Sequence, residues 1–307
     1  MRFSYVANAS QAYVPVVMKA KGIDKKYGLD VQTNEVSAPP QQWLALRAGS
    51  GDISAGNVVD LFRERKAGMK ARAVRGFTGW GNEIVTVPSK PYSKLADLKG
   101  VRFGTFSTTL MDWLVVRTAG KKAENIDLQT DAKVVNAAPA LLNEQLFKDQ
   151  LDAALQFAPD LTEAAEVEGR MKKITSVHDL LQEAGFDPDS FYLTWNLLDS
   201  WGEKNPNSTP KLVAAIDEAV NVLQTDDSVW PDLAKRSGVT DAKLLPEFIK
   251  QQRETFKTNF GESKLKPTQD LFDAIAKALG TDALGQQNVD PAAFDFQSVV
   301  AAKALEK

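Results

Sequence analysis

Short apolar runs alternate with longer amphipathic ones along the first half of the chain. Residues 2–7 read as a strand, and residues 12–27 as a helix that ends at Gly28 in a C-cap position. Alternation over 29–34 predicts a second strand. Residues 40–48 are helical and stop at Gly49, 52–55 form a short strand, 58–66 a helix stopped by Gly68, and 70–76 a strand. Strands spaced by helices in this way predict βαβ units and a parallel sheet. The plan then restarts, with strands expected at 101–105, 132–135, 151–156 and 171–175 and helices at 108–119, 140–147 and 161–168.

The restart is visible in the residues themselves. At an offset of 100, Arg2-Phe3 faces Arg102-Phe103, Ala38-Pro39 faces Ala138-Pro139, Leu46 faces Leu146, Asp52 faces Asp152, and Asp60-Leu61 faces Asp160-Leu161. These identities fall at matching places: strand starts, the loop before the second helix, and the third strand with its following helix. A repeated βαβαβ unit explains them, and so would unrelated segments of similar periodicity. Both readings predict two similar lobes. β-rich segments at 83–87 and 191–195 then become the crossings of a two-strand hinge. The expected lobes are 1–85 with 193–307, and 86–192. From residue 197 onward the pattern is mostly helical. Thr209-Pro210 opens a helix whose apolar stripe runs Leu212, Ala215, Ile216, Ala219, Val220 and Leu223, residues 268–279 form another, and Asp290-Pro291 starts the last. These helices are expected against the first lobe.

Composition removes whole classes of chemistry. The chain has no cysteine and one histidine, His178. Disulfides, thiolate catalysis, iron–sulfur clusters and cysteine or histidine metal sites are therefore not expected. A net charge of −3 over 307 residues leaves no basic field for nucleic acid. No apolar run is long enough to span a bilayer. The chain opens without a charged segment leading into an apolar one, so it is either cytosolic or has had its leader removed.

Ligands of open parallel sheets collect at the carboxyl ends of the strands. The loops expected there are Asn8-Ala9-Ser10-Gln11, Ser37-Ala38-Pro39-Pro40-Gln41, Gly56-Asn57, Phe77-Thr78-Gly79-Trp80, Phe106-Ser107-Thr108-Thr109, Asn136-Ala137-Ala138-Pro139 and Phe157-Ala158-Pro159. They carry hydroxyls, amides and aromatics, and no Lys, Arg, Asp, Glu or His. Such a lining can bind but has poor means of moving protons. Ser107 or Thr108 suits a helix N-cap, and suits equally a cap that also meets an oxyanion. Trp43, Trp80 and Trp113 fit either a core or a cleft wall. Asp112, one turn further on, fits the helix dipole better than a ligand amine. His178-Asp179 lacks any accompanying nucleophile motif and reads as a surface or packing pair.

Four passages carry a resemblance. Gly22-Ile23-Asp24-Lys25-Lys26-Tyr27-Gly28-Leu29-Asp30-Val31, Leu46-Arg47-Ala48-Gly49-Ser50-Gly51-Asp52-Ile53 and Leu95-Ala96-Asp97-Leu98-Lys99-Gly100-Val101-Arg102-Phe103-Gly104 occur in the order found in periplasmic solute-binding proteins of the nitrate/sulfonate/taurine class. Leu151-Asp152-Ala153-Ala154 through Phe157-Ala158-Pro159 is similar to the second-lobe strand and loop of that class, although Ala158 stands where an acidic residue often precedes the proline. The resemblance covers roughly residues 1–200. It implies a type II periplasmic-binding-protein fold that holds a ligand between its lobes and docks on an ABC permease. By family position, ligand contact falls to Ser10, Gln11, Gln41, Asn57, Ser107, Thr108, Thr109, Asn136 and Phe157, with Trp80 as an addition. No catalytic residue, metal or cofactor is implied. The expected ligand is a small sulfonate-like anion, with a pyrimidine or other small aromatic as the alternative, and the expected state is a monomer outside the cytoplasm. Pyrimidine synthases of the same fold resemble the chain too, but their pattern needs a cysteine-rich iron site and a histidine in the site. A ligand-sensing regulatory domain would need a fused DNA-binding unit, for which no residues remain.

Overall fold

The computed structural model describes residues 1–7, 9–157, 165–166, 168–256, 259–286 and 288–305. The helix expected at 161–168, Asn8, and the Ala158-Pro159 part of its loop lie wholly or largely outside the described residues.

Two five-stranded sheets organise the chain, which is α/β. One is built from β1 (Arg2–Val6), β2 (Gln32–Val36), β3 (Ile53–Asn57), β4 (Ala71–Gly76) and β10 (Leu193–Leu198), in the order β2-β1-β3-β10-β4. The other is built from β5 (Glu83–Thr86), β6 (Arg102–Thr105), β7 (Lys133–Asn136), β8 (Ala153–Gln156) and β9 (Lys172–Ser176), in the order β7-β6-β8-β5-β9. In each sheet the first three strands are parallel, and the fourth runs antiparallel to both its neighbours. That fourth strand is exchanged. β5 follows β4 in the chain but pairs in the second sheet, and β10 follows β9 but pairs in the first.

The exchange decides which edges face each other. β4 is antiparallel to β10, as β3 is, so β4 ends at the same edge as β1, β2 and β3. The chain then crosses, and β5 begins beside the last residue of β8, with Glu83 opposite Gln156. The return crossing enters β10 at Leu193, opposite Asn57 at the end of β3. Both crossings therefore join the carboxyl edge of one sheet to the carboxyl edge of the other.

The two halves share more than topology. Arg2 donates its backbone N–H and guanidinium to Asp52 (2.7 Å to each carboxylate oxygen). Arg102 does the same to Asp152, at 2.9 and 2.8 Å. In both lobes this ties the first strand to the entry of the third. Helices α3 (Pro39–Arg47) and α7 (Pro139–Phe147) also match, each opened by proline at the first turn, where its missing N–H costs nothing.

The remaining helices of the halves are α1 (Tyr13–Ala20), α2 (Ile23–Lys26), α4 (Val58–Lys66), α5 (Met111–Ala123), α6 (Leu128–Asp131) and α8 (Val177–Glu183). Three of these regions differ from the sequence reading. The helix expected over 12–27 breaks at Gly22, whose φ of +68° suits glycine. The second strand starts at Gln32, because Leu29 and Val31 are drawn into the core by a turn in which the buried Asp24 carboxylate accepts from the Val31 N–H. The helix expected from 108 begins at Met111, behind an extended Leu110 that provides no side-chain cap.

The C-terminal part adds α9 (Asp199–Lys204), α10 (Ser208–Thr225), α11 (Trp230–Arg236), α12 (Leu245–Thr255), α13 (Leu265–Leu279) and α14 (Phe296–Ala302). α10 packs against α1 and α14 and buries Leu212, Ala215, Ile216, Ala219 and Leu223, as its stripe predicts. α13 departs from the expectation of first-lobe packing. It contacts α5, while its Phe272 lies edge-on to Phe62 of α4 at 6.0 Å, so it spans both halves.

Candidate ligand-binding site

Parallel pairing sets the carboxyl ends of β1, β2 and β3 side by side, with Val6 opposite Val36 and Phe3 opposite Ile53. The same holds for β6, β7 and β8, with Thr105 opposite Asn136 and Phe103 opposite Ala153. Ser10, Gln11, Gln41 and Asn57 therefore share one edge. Ser107, Thr108, Thr109, Asn136 and Phe157 share the edge across the crossings.

Several of these side chains already have local partners. Ser10 is buried in a 3-10 turn after β1, and Gln11 is half-buried beside it. Gln41 is exposed, and its Oε1 accepts from the Ser37 backbone N–H at 2.8 Å and the Ser37 hydroxyl at 2.9 Å, closing the turn into α3. Asn57 is the N-cap of α4: its Oδ1 accepts from the Asp60 N–H at 2.8 Å and its Nδ2 donates to Asp60 Oδ2 at 2.7 Å. A cap of this kind stabilises a helix by about 1 kcal/mol, which accounts for the residue type at 57.

Ser107 and Thr108 are not helix caps. Ser107 Oγ accepts from the Thr109 N–H at 3.3 Å and lies 3.0 Å from Thr109 Oγ1, in a turn that precedes the helix. The helix cap therefore does not explain these hydroxyls. Asn136 is exposed at the end of β7, and Phe157 meets Phe106 edge-on with ring centres 5.8 Å apart.

Trp80 is not an open wall. It is 1% exposed, stacks on Tyr192 at 4.2 Å, and donates its indole N–H to Ser190 O at 3.0 Å. Trp80 and Tyr192 belong to different crossings, so the stack is the junction between them. Trp113 is core, and Trp43 is nearly so, its ring lying against Gly56, where an added Cβ would stand 2.5 Å away.

The junction contains a polar group that sequence reasoning placed only in part. Asn82 of the first crossing donates to Asp112 Oδ2 and to the Tyr192 hydroxyl, both at 2.8 Å. Asp112 is in the first turn of α5, as expected, but it is fully buried rather than a surface partner of the dipole. Burial pushes its carboxyl up to about 6, against the downward pull of its hydrogen bonds from Tyr192 and Asn82. The Tyr192 phenol is raised well above its ordinary value by burial and by the Asp112 charge. The only local signal was polarity at position 192, inside a segment read as a crossing, and at position 82, just before the other.

Charged groups do approach the edges from neighbouring elements. Arg236, at the end of α11, donates to Ala7 O at 3.1 Å and pairs with Glu35 at 2.8 Å. Glu83, where β5 begins, is pushed up to about 8 by burial and by the Glu166 charge, with Lys173 at 3.7 Å pulling the other way. His178 is half-exposed, with Asp179 at 3.5 Å. Among the described residues no group of three His, Cys, Asp or Glu is arranged to hold a metal. None of the described helices is long and apolar enough to cross a membrane.

Known proteins share this architecture. The alkanesulfonate-binding protein SsuA of Xanthomonas axonopodis pv. citri, solved bound to MOPS, superimposes with a TM-score of 0.73 at 17% identity, over 96% of this chain and 97% of that one. The periplasmic nitrate-binding protein NrtA of Synechocystis PCC 6803 gives 0.69 at 13% identity, over 99% and 88%. At such identities the likeness is one of fold. A protein of Brucella abortus (strain 2308), named a candidate binding protein, is 25% identical over 219 residues, which is 71% of this chain and 65% of the relative. The chain thus spans about two-thirds of that relative's length. Residues 1–237 match the NMT1-like family, and the chain belongs to it.

Proposed function

We propose that this chain is the substrate-binding component of an ABC importer. It captures a small sulfonate-like anion between its lobes outside the cytoplasm and delivers it to a membrane permease. The observation that carries the reading is the pair of facing carboxyl edges, which present hydroxyls and amides at Gln11, Ser107, Thr108, Thr109 and Asn136, with Phe157 beside them. Neutral dipoles of this kind hold an oxyanion without a proton donor or a nucleophile. The relatives' names point the same way, since solved proteins of this fold bind alkanesulfonate and nitrate. Closure is a hinge motion at the Trp80–Tyr192 junction, favoured by the ligand to the extent that it binds the closed form better. The protein turns nothing over.

A flat pyrimidine or aromatic acid is the second reading, favoured by the edge-on Phe106–Phe157 pair. A thermal-shift screen separates the two. A ligand at 100 times its Kd stabilises the native state by about 2.7 kcal/mol, which raises Tm by roughly 4–5 °C in a chain of this size. Such a rise is expected with an alkanesulfonate or nitrate. A rise confined to pyrimidines installs the second reading. No rise across sulfonates, nitrate, carboxylates and pyrimidines, or product formed from any of them, overturns the first.

A further inference from the structure

Gln42 lies on the inner face of α3 and is 2% exposed. It is not among the residues that family resemblance assigns to the ligand. Its Nε2 donates to Gln11 Oε1 at 2.6 Å and is 3.4 Å from the Ser4 carbonyl. Gln11 Oε1 also accepts from the Val6 backbone N–H at 3.3 Å. The chemistry of these groups leaves one arrangement. A backbone N–H can only donate, so the Gln11 atom facing Val6 is its oxygen. A carbonyl can only accept, so the Gln42 atom facing Ser4 is its nitrogen. Two main-chain groups of β1 therefore orient both amides. Turning Gln11 over would set donor against donor twice.

With its oxygen engaged inward, Gln11 has two amide N–H donors left over, and neither has a partner among the described residues. Gln11 follows β1 at the edge that faces the second lobe. We propose that Gln42 is a positioning residue: it locks the Gln11 amide so that the first lobe presents N–H donors, which selects a guest bearing acceptor oxygens. The inference rests on the binding-protein reading and adds the polarity of one contact to it.

Calorimetric titration with ethanesulfonate tests it on wild type, Gln11→Ala, Gln42→Met and the double variant. Met keeps the length of Gln and cannot donate. Gln42→Met should weaken binding by about threefold to tenfold, the worth of one oriented neutral hydrogen bond. The double variant should bind no worse than Gln11→Ala alone, because Gln42 acts through Gln11. Equal losses from Gln42→Met with and without Gln11, or no loss at all, overturn the proposal. Gln42→Leu serves if the methionine variant does not fold. A second readout needs no ligand: the Gln11 side-chain amide pair, followed by nitrogen-15 NMR, should be rigid in wild type and motionally averaged in Gln42→Met. An unchanged pair ends the proposal, whereas wild-type protein that shows the rigid pair but binds nothing in the panel ends only the binding-protein reading.

Discussion

Position 42 in the first lobe and position 142 in the second lie in the same turn of matching helices. In the first lobe the residue is Gln42, hydrogen-bonded near Ser4 of β1. In the second it is Leu142, fully buried, and the residue matching Ser4 is Gly104, where an added Cβ would stand 2.6 Å from Leu142. Both lobes keep the Arg–Asp tie between first and third strands. The framework is repeated while the layer beneath the site edge is not. At this position the first lobe keeps an amide that orients Gln11, and the second fills the space with hydrocarbon. The second lobe's own amide pair stands elsewhere, where Gln156 at the end of β8 donates to Asn143 at 2.6 Å and to the Pro139 carbonyl at 2.9 Å. Two lobes of the same plan can thus carry chemically different layers beneath matching edges.

Leu142→Ala should break the second lobe hardest. Removing a fully buried leucine costs about 2–5 kcal/mol, read as a lower denaturant midpoint with an unchanged slope. Gln42→Met keeps the volume but takes the donor from Gln11 Oε1 and the Ser4 carbonyl, and should cost about 1–3 kcal/mol. Equal costs at the two positions would erase the distinction drawn here.

The shared tie gives the next effect. Asp52→Ala and Asp152→Ala each leave a backbone N–H and a half-exposed guanidinium without their carboxylate, for about 1–3 kcal/mol. The second should cost somewhat more, because Lys90 also reaches Asp152 at 3.1 Å. A larger loss at Asp52 would show that matching geometry hides different energetics.

The last contrast is in pH dependence, where junction and tie have opposite signs. Arg102 holds the Asp152 carboxyl well below the ordinary carboxylate range. Burial raises that of Asp52, but the Arg2 hydrogen bonds outweigh it and the net shift is downward. Both contribute stability that is present above the ordinary value and lost as pH falls through the folded one. Asp112 is raised to about 6, so the folded chain keeps a proton that the unfolded chain releases. Its contribution is complete below the unfolded value and disappears as pH rises through about 6. Asp112→Asn should flatten the stability profile between pH 4 and 7 by about 1–3 kcal/mol, at 1.36 kcal/mol for each pKa unit. A slope unchanged in that window would remove the buried carboxyl from the account.

Legibility followed locality. The helix expected at 58–66 is α4 (Val58–Lys66), because its cap at Asn57 and its stop at Gly68 are both neighbours in the chain. The start of α5 was misplaced because Ser107 and Thr108 look like caps, while the turn they form instead depends on Thr109. Asn82 and Tyr192 are 110 residues apart, and nothing in either segment announces the other. Gln41 and Gln42 are adjacent and identical in kind. Only the position of α3 over β1 turns one outward and the other toward Ser4.

The amino-acid order alone determined the α/β alternation, the echo at an offset of 100 and a chemistry without thiols or a histidine cluster, because periodicity and composition are properties of short stretches. The tertiary structure alone decided that β5 pairs in the second sheet, that Trp80 is a joint and not a wall, and which end of the Gln11 amide is free. Those outcomes depend on strand pairing and side-chain contact between segments distant in the chain, and no local pattern encodes which distant group will supply a donor or an acceptor.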